Sequence, residues 1–170
     1  MRVLTAALCS LEPQVEAHAA EMFAVLSDPA IYEFERMPPP SVERLAAGYR
    51  RLASRQSPDG SERWLNWVVR LPGGELSGYV QATVTAGGSC YIGYEFASRF
   101  WRRGIATAAL GAMFEELAQA YDVQRLVAVL KTANFRSLAL LHKLGFTRAG
   151  DAEQVLHEHD ADETVMLRSG

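Results

Sequence analysis

The sequence predicts a single mixed α/β domain built on a mostly antiparallel sheet. Residues 64–71, 76–85 and 89–96 are apolar runs of strand length separated by short Pro/Gly-rich turns, the pattern of an antiparallel meander. Residues 104–121 carry a long helical pattern, with Leu110, Phe114, Leu117 and Tyr121 on one face and Glu115, Glu116 and Gln119 off it. The apolar run 126–130 follows that helix. It is therefore expected to be buried on both sides and to pair in parallel with strand 89–96.

Around this frame the remaining elements fall in order. Residues 3–9 read as a strand. A helix is expected next, with Pro13 in its first turn and Val15, Ala19, Met22 and Leu26 at helical spacing. Ser27-Asp28-Pro29 ends it, because proline disfavours helix in the residue before it. Met37-Pro38-Pro39-Pro40 is a stiff connector, and Ser41 then stands as N-cap of a second helix with Leu45, Tyr49 and Leu52 on one face. Ser57-Pro58-Asp59-Gly60 is a turn. Residues 134–144 read as a helix capped by Asn134 and closed by Gly145 in a left-handed conformation. Residues 146–149 and 164–167 form a last hairpin joined by a polar loop. No repeat or long linker divides the chain, so residues 1–170 are expected to be one domain.

Composition narrows the function classes. With 49% hydrophobic residues the chain can bury a full core. A net charge of -3 without a Lys/Arg cluster on a helix face argues against a nucleic-acid partner. Cys9 and Cys90 are too few for a disulfide framework and read as buried thiols in a reducing compartment. No apolar run approaches the roughly 18 residues that span a bilayer, and the first residues lack the pattern of a signal peptide. A cytoplasmic protein with no membrane partner is expected.

Two segments carry chemistry. Residues 98–107 run from a strand into the long helix, and free N–H groups at a helix start, with the helix dipole, make an anion site. Gly104 and Ala106 allow a diphosphate close to the backbone, and Arg102 and Arg103 add charge; an ordinary helix start with two solvated arginines is the competing reading. Asn134 and Ser137 open the later helix just beyond a strand end, where ligands of α/β sheets bind. Plain capping is the competing reading there.

As a pair, these segments resemble the GNAT acetyltransferase superfamily. Trp101-Arg102-Arg103-Gly104-Ile105-Ala106 is similar to its acetyl-CoA loop, Gln/Arg-x-x-Gly-x-Gly/Ala, and Asn134, Ser137 and Lys143-Leu144-Gly145-Phe146 are similar to its later motif. Trp101, Leu11-Glu12-Pro13, Ser27-Asp28-Pro29 and Ile92-Gly93-Tyr94 also resemble the Rim-type branch, whose members acetylate N-termini of ribosomal proteins. The resemblance implies a sheet whose parallel pair splays apart, here between Tyr94-Glu95-Phe96 and residues 126–130. The pantetheine arm of acetyl-CoA would lie in that V, alongside Tyr94 and Phe96, with the diphosphate on Arg102, Arg103, Gly104, Ile105, Ala106 and Thr107, and with Asn134 and Ser137 at the far wall. Tyr94 and Phe96 are equally readable as core.

Amine acetylation requires a held neutral amine, oxyanion stabilisation and two proton transfers. The Tyr that many members use as thiolate proton donor falls at Leu141, so the resemblance carries that role to Ser137, whose alternative is a capping hydroxyl. A carboxylate known in some members falls at Cys90, leaving Glu95 as the candidate base, against a solvent-facing Glu95 and water-mediated deprotonation. In the superfamily the stretch after the first helix forms a wall of the acceptor cleft, which implicates Tyr32, Glu33 and Glu35, with a solvated surface as the alternative. His157-Glu158-His159-Asp160 reads as a solvated loop rather than a metal site, and no metal is expected. The expected reaction is acetyl transfer from acetyl-CoA to a primary amine, favouring a peptide or protein N-terminus. The rivals are a small-molecule amine (polyamine, amino acid or drug) and a catalytically silent CoA-binding module. Monomer and homodimer stay equally open.

Overall fold

The computed structural model describes residues 1–34 and 37–169. Leu4–Thr5 (β1) and Ser10–Pro13 (β2) form a tight antiparallel hairpin, closed by the Ala6 N–H donating to the Cys9 carbonyl at 2.9 Å. Of the strand expected over residues 3–9 only Leu4–Thr5 is strand, with residues 6–9 forming the hairpin turn, and Pro13 ends the next strand rather than opening a helix. The reason is tertiary. β2 pairs with Glu62–Arg70 (β3), and the Gln14 N–H extends that ladder to the Asn66 carbonyl at 2.9 Å, holding the chain extended past Pro13. A single 3-10 turn at Glu16–His18 precedes helix Ala19–Leu26 (α1). Helix Val42–Leu52 (α2) starts as expected at Ser41, whose Oγ accepts from the Arg44 N–H at 3.2 Å.

The meander follows with β3, Leu76–Thr85 (β4) and Ser89–Phe96 (β5), all antiparallel. Helix Ile105–Tyr121 (α3) then leads to strand Arg125–Lys131 (β6), and helix Phe135–Lys143 (α4) to strand Thr147–Arg148 (β7). The polar loop expected after β7 carries a short helix, Asp151–Gln154 (α5), and the chain ends on strand Glu163–Ser169 (β8). The eight strands run in the order β1-β2-β3-β4-β5-β6-β8-β7, so the last strand of the chain inserts between β6 and β7. β5 and β6 are the one parallel pair. The core is continuous across the layers. Trp67, Leu11 and Met22 are fully buried with Leu110, Met113 and Leu117 of α3 and with Phe146, and the Trp67 indole donates to the Arg2 carbonyl at 3.1 Å.

The parallel pair opens into a V. β5 and β6 pair only through Ser89, Cys90 and Tyr91 against Arg125, Leu126 and Val127. Beyond Tyr91, β5 stays with β4 as far as Phe96, while β6 stays with β8 as far as Lys131. Gly78 of β4 helps hold β5 to its side. A Cβ at this position would stand 2.1 Å from the Glu95 carbonyl oxygen and 2.9 Å from the Phe96 Cα. Backbone cannot yield as a flexible side chain does.

Gly78→Ala is therefore expected to force the end of β5 off β4 and to destabilise the protein by roughly 2 kcal/mol. Urea unfolding checks this; an unchanged midpoint would mean that the close approach at Gly78 does not position β5.

Candidate active site

One wall of the V is the turn that leads from β5 into α3. After β5 the chain makes a 3-10 turn at Ser98–Phe100 and enters α3 through Arg102 (φ 60) and Gly104 (φ 79), both in the left-handed region. Glycine adopts that region freely, while an arginine there is held at some cost. No side chain caps α3, and among the described residues nothing accepts from the N–H groups of residues 102–107. Ile105, Ala106 and Thr107 thus present free donors at the positive end of a helix. Arg102 and Arg103 are exposed and form no ion pair among the described residues, and Arg103 lies over the Phe100 ring at 5.8 Å.

Two contacts brace this turn. The Trp101 indole donates to the Phe96 carbonyl at 2.7 Å, which joins the loop to the end of β5. Asp28, at the end of α1, accepts from the Ser98 N–H at 2.6 Å and from the Ala30 N–H at 3.0 Å. Partial burial works against the Asp28 carboxylate, but these hydrogen bonds outweigh it and hold its pKa below the usual range. Asp28 was legible only as a helix stop; its reach of 70 residues along the chain to Ser98 is a tertiary fact.

The other wall begins where β6 ends. Asn134 Oδ1 accepts from the Ser137 N–H at 3.1 Å, so the acceptor atom of Asn134 is used in capping α4. The Ser137 hydroxyl is half-buried and has no hydrogen-bond partner among the described residues. Arg136, between them, is boxed by aromatic rings. Its guanidinium lies 4.7 Å from the Trp101 ring, 5.0 Å from Phe135 and 5.2 Å from Phe34, and it forms an ion pair with Glu33. The connector after α1 therefore reaches across to α4, where the exposed Glu33 carboxylate pairs with Arg136. Glu35 lies outside the described residues.

Between the sheet and the first two helices lies a cleft of about 230 Å³. Leu26, Leu45 and Leu52 flank it, with Met37 and Pro39 from the connector. Its polar lining is Gln14, Tyr32, Tyr49, Asn66, Tyr79, Gln81 and Glu95. The structure thus places Glu95 in the cleft, half-buried, not out in solvent. The Tyr32 hydroxyl donates to the Leu26 carbonyl at 2.7 Å, which fixes that ring at the rim. Burial, with the Glu95 carboxylate and Tyr32 nearby, pushes the Tyr49 phenol well above its ordinary pKa. Tyr94 and Phe96 alternate to the opposite face from Glu95, and the ring of Phe96 is buried in the core.

Sequence reasoning missed Tyr49, Asn66 and Gln81 as cleft residues. The available signal was polarity out of place: Asn66 and Gln81 lie on the same sheet face as Val68 and Tyr79, where strands bury apolar groups. It also took His157 for a solvated residue. His157 is buried, and its Nδ1 sits 2.8 Å from the Tyr91 hydroxyl. Among the described residues no three His, Cys, Asp or Glu side chains are grouped to hold a metal ion. Burial pushes the Cys90 thiol up to about 12, which makes it a poor nucleophile. No helix among the described residues is long and apolar enough to cross a membrane.

Comparison with known proteins agrees with this geometry. The structure resembles RimL, a ribosomal L7/L12 alpha-N-protein acetyltransferase solved with coenzyme A, at a TM-score of 0.80 and 18% identity, over 98% of this chain and 97% of that one. It resembles the ribosomal-protein-S5-alanine acetyltransferase of Vibrio fischeri at a TM-score of 0.79 and 18% identity, over 99% and 95%. The microcin C7 self-immunity acetyltransferase MccE, solved with acetyl-CoA and AMP, matches at 0.78 and 17%, over 96% and 93%. A search of the curated proteins finds no match to the chain. Residues 10–147 match the acetyltransferase (GNAT) domain, and the chain belongs to that family.

Proposed function

We propose that this protein transfers the acetyl group of acetyl-CoA to the primary amine of a peptide or protein N-terminus. The observation that carries it is the V itself. Beyond Tyr91 the β6-facing backbone of β5 has no strand neighbour, and the V has unpaired helix-start donors at one end and a polar cleft beside it. An amide-bearing pantetheine arm suits an unpaired strand edge, since buried backbone groups require partners. The diphosphate is held by the N–H groups of residues 102–107, with Arg102 and Arg103 at its edge.

In this reading the amine enters through the cleft and attacks the thioester carbonyl. The C–S bond breaks, the amide forms, and the thiolate leaves as free CoA once protonated. Glu95 takes the amine proton, directly or through a water, and the Ser137 hydroxyl gives a proton to the thiolate. An α-amino group titrates at about 7.7–8.0, so a usable fraction is neutral near pH 7. The ribosomal-protein acetyltransferases among the structural neighbours support a protein N-terminus as acceptor. MccE, among those neighbours, keeps a small-molecule amine as the alternative. A cytoplasmic site of action accords with two buried free thiols. Thiol release from acetyl-CoA, measured with N-terminal peptides and with polyamines, amino acids and drug amines, decides between the acceptors. Binding of acetyl-CoA without turnover of any amine would leave a silent CoA-binding module.

Three outcomes test the machinery. Asn and Asp both tolerate the left-handed backbone of Gly104 and differ by one charge. Gly104→Asp is expected to weaken acetyl-CoA at least tenfold relative to Gly104→Asn in isothermal titration; equal affinities would remove the diphosphate from this turn. Ser137→Ala is expected to lower kcat by roughly 10²-fold or more with acetyl-CoA affinity nearly kept. A loss under about threefold would return Ser137 to its place in the helix start. Glu95→Gln is expected to flatten the acidic limb of the pH–rate profile, and an unaltered limb would assign the base elsewhere.

A further inference from the structure

The floor of the cleft holds more hydrogen-bonding capacity than the protein uses. Asn66 of β3, Gln81 of β4 and Gly93 of β5 stand directly opposite one another across three strands. Side chains two apart on a strand share a face, so Gln81 and Gly93 face the same way as Tyr79 and Glu95. Gln81 lies over Gly93, where an added Cβ would come within 2.8 Å of its Nε2. The Asn66 side chain is nearly buried, yet neither its amide nor that of Gln81 hydrogen-bonds any described residue. Tyr49 descends onto the same floor from α2. It is 6% exposed, and its buried hydroxyl has no partner among the described residues.

Buried polar groups are almost always paired, and an unpaired one is destabilising. One buried hydroxyl left unpaired, Tyr49, with the two amides of Asn66 and the half-exposed Gln81 unpaired beside it and next to a carboxylate, marks a place where a ligand supplies the partners. Their chemistry says which ligand. Amide and phenol groups offer both donors and acceptors and carry no charge, which matches a carbonyl and N–H next to the reacting nitrogen. We infer that Tyr49, Asn66 and Gln81 form a neutral subsite that binds the amide group adjacent to the acceptor's amine, selecting α-amino amides over simple alkylamines. This rests on the reading of the cleft as the acceptor side of an amine acetyltransferase. Leu45 and Leu52 beside the subsite give the rest of the acceptor an apolar wall.

The test uses the full chain and three acceptors: alaninamide, isopropylamine, which replaces the amide by a methyl group, and a peptide with N-terminal alanine. Free-thiol release gives kcat/KM for each with the wild type and with Tyr49→Phe, which deletes one oxygen. Each amine is compared with itself across the two proteins, so differences in basicity cancel. Tyr49→Phe is expected to lower kcat/KM for alaninamide about tenfold. It should change the isopropylamine value less than twofold and leave the KM for acetyl-CoA unaltered. It should also keep or raise Tm, because an unpaired buried hydroxyl is gone; a merely structural tyrosine would lower Tm and both rates alike. Gln81→Met, of similar volume, should repeat the selective loss. Equal effects on the two amines, or none on either, would overturn the subsite. A selective loss with alaninamide while the peptide goes unacetylated leaves the subsite standing and removes the peptide N-terminus as acceptor. Failure of all three amines overturns both readings.

Discussion

Three residue pairs join β5 to β6, and the strands then take different partners. Everything functional about this molecule depends on that divergence. A parallel pair that continued to Phe96 would satisfy its backbone internally and close the sheet. Here β4 keeps β5 and β8 keeps β6, so an edge opens inside the sheet rather than at its rim. Such an edge is a liability in most proteins and an adhesive surface for an extended ligand. The absence of a side chain at Gly78 lets β5 lie against β4 at the point where it must turn from β6. The last strand of the chain, inserted beside β6, holds the other arm.

The two walls of the V are then tied to each other by side chains rather than by backbone. Asp28 fastens the end of α1 to the turn before α3, and Trp101 fastens that turn to β5. Arg136 gathers Glu33, Phe34, Trp101 and Phe135 around one guanidinium. Each such contact at a partly exposed site contributes on the order of 1 kcal/mol or less. The clasp is therefore weak piece by piece, and it joins the connector after α1 to the loop before α3 and to the start of α4. Glu33 thereby acquires a partner within the protein.

The cleft shows where stability gives way to chemistry. Most of the domain follows ordinary burial, with apolar side chains filling the space between sheet and helices. Tyr49 of α2 and Asn66 of the sheet break that pattern at buried positions, with the half-exposed Gln81 beside them. Unpaired polar groups in a core weaken a fold unless something outside the protein completes them, and functional sites are where such violations concentrate.

Local chemistry determined much of this protein. Turn residues and alternation marked the meander, helical spacing marked α3 and α4, and Ser41 and Asn134 act as the caps their residue types suggest. The left-handed Gly104 turn and the Asn134 cap were legible because turn and cap geometry depend on a few consecutive residues. The N-terminal segment was misread, since Ser10 to Gln14 takes its shape from pairing with β3, some 55 residues away, and not from its own propensities, and Leu4–Thr5 pairs back onto it. The partners of Asp28, Glu33 and His157 and the place of Tyr49 over the cleft floor were equally invisible, because each is set by strand order and by the packing of α1, α2 and the last loop on the sheet. A sequence shows which groups can bond; only the folded chain decides which of them meet, and which are left unpaired for a ligand.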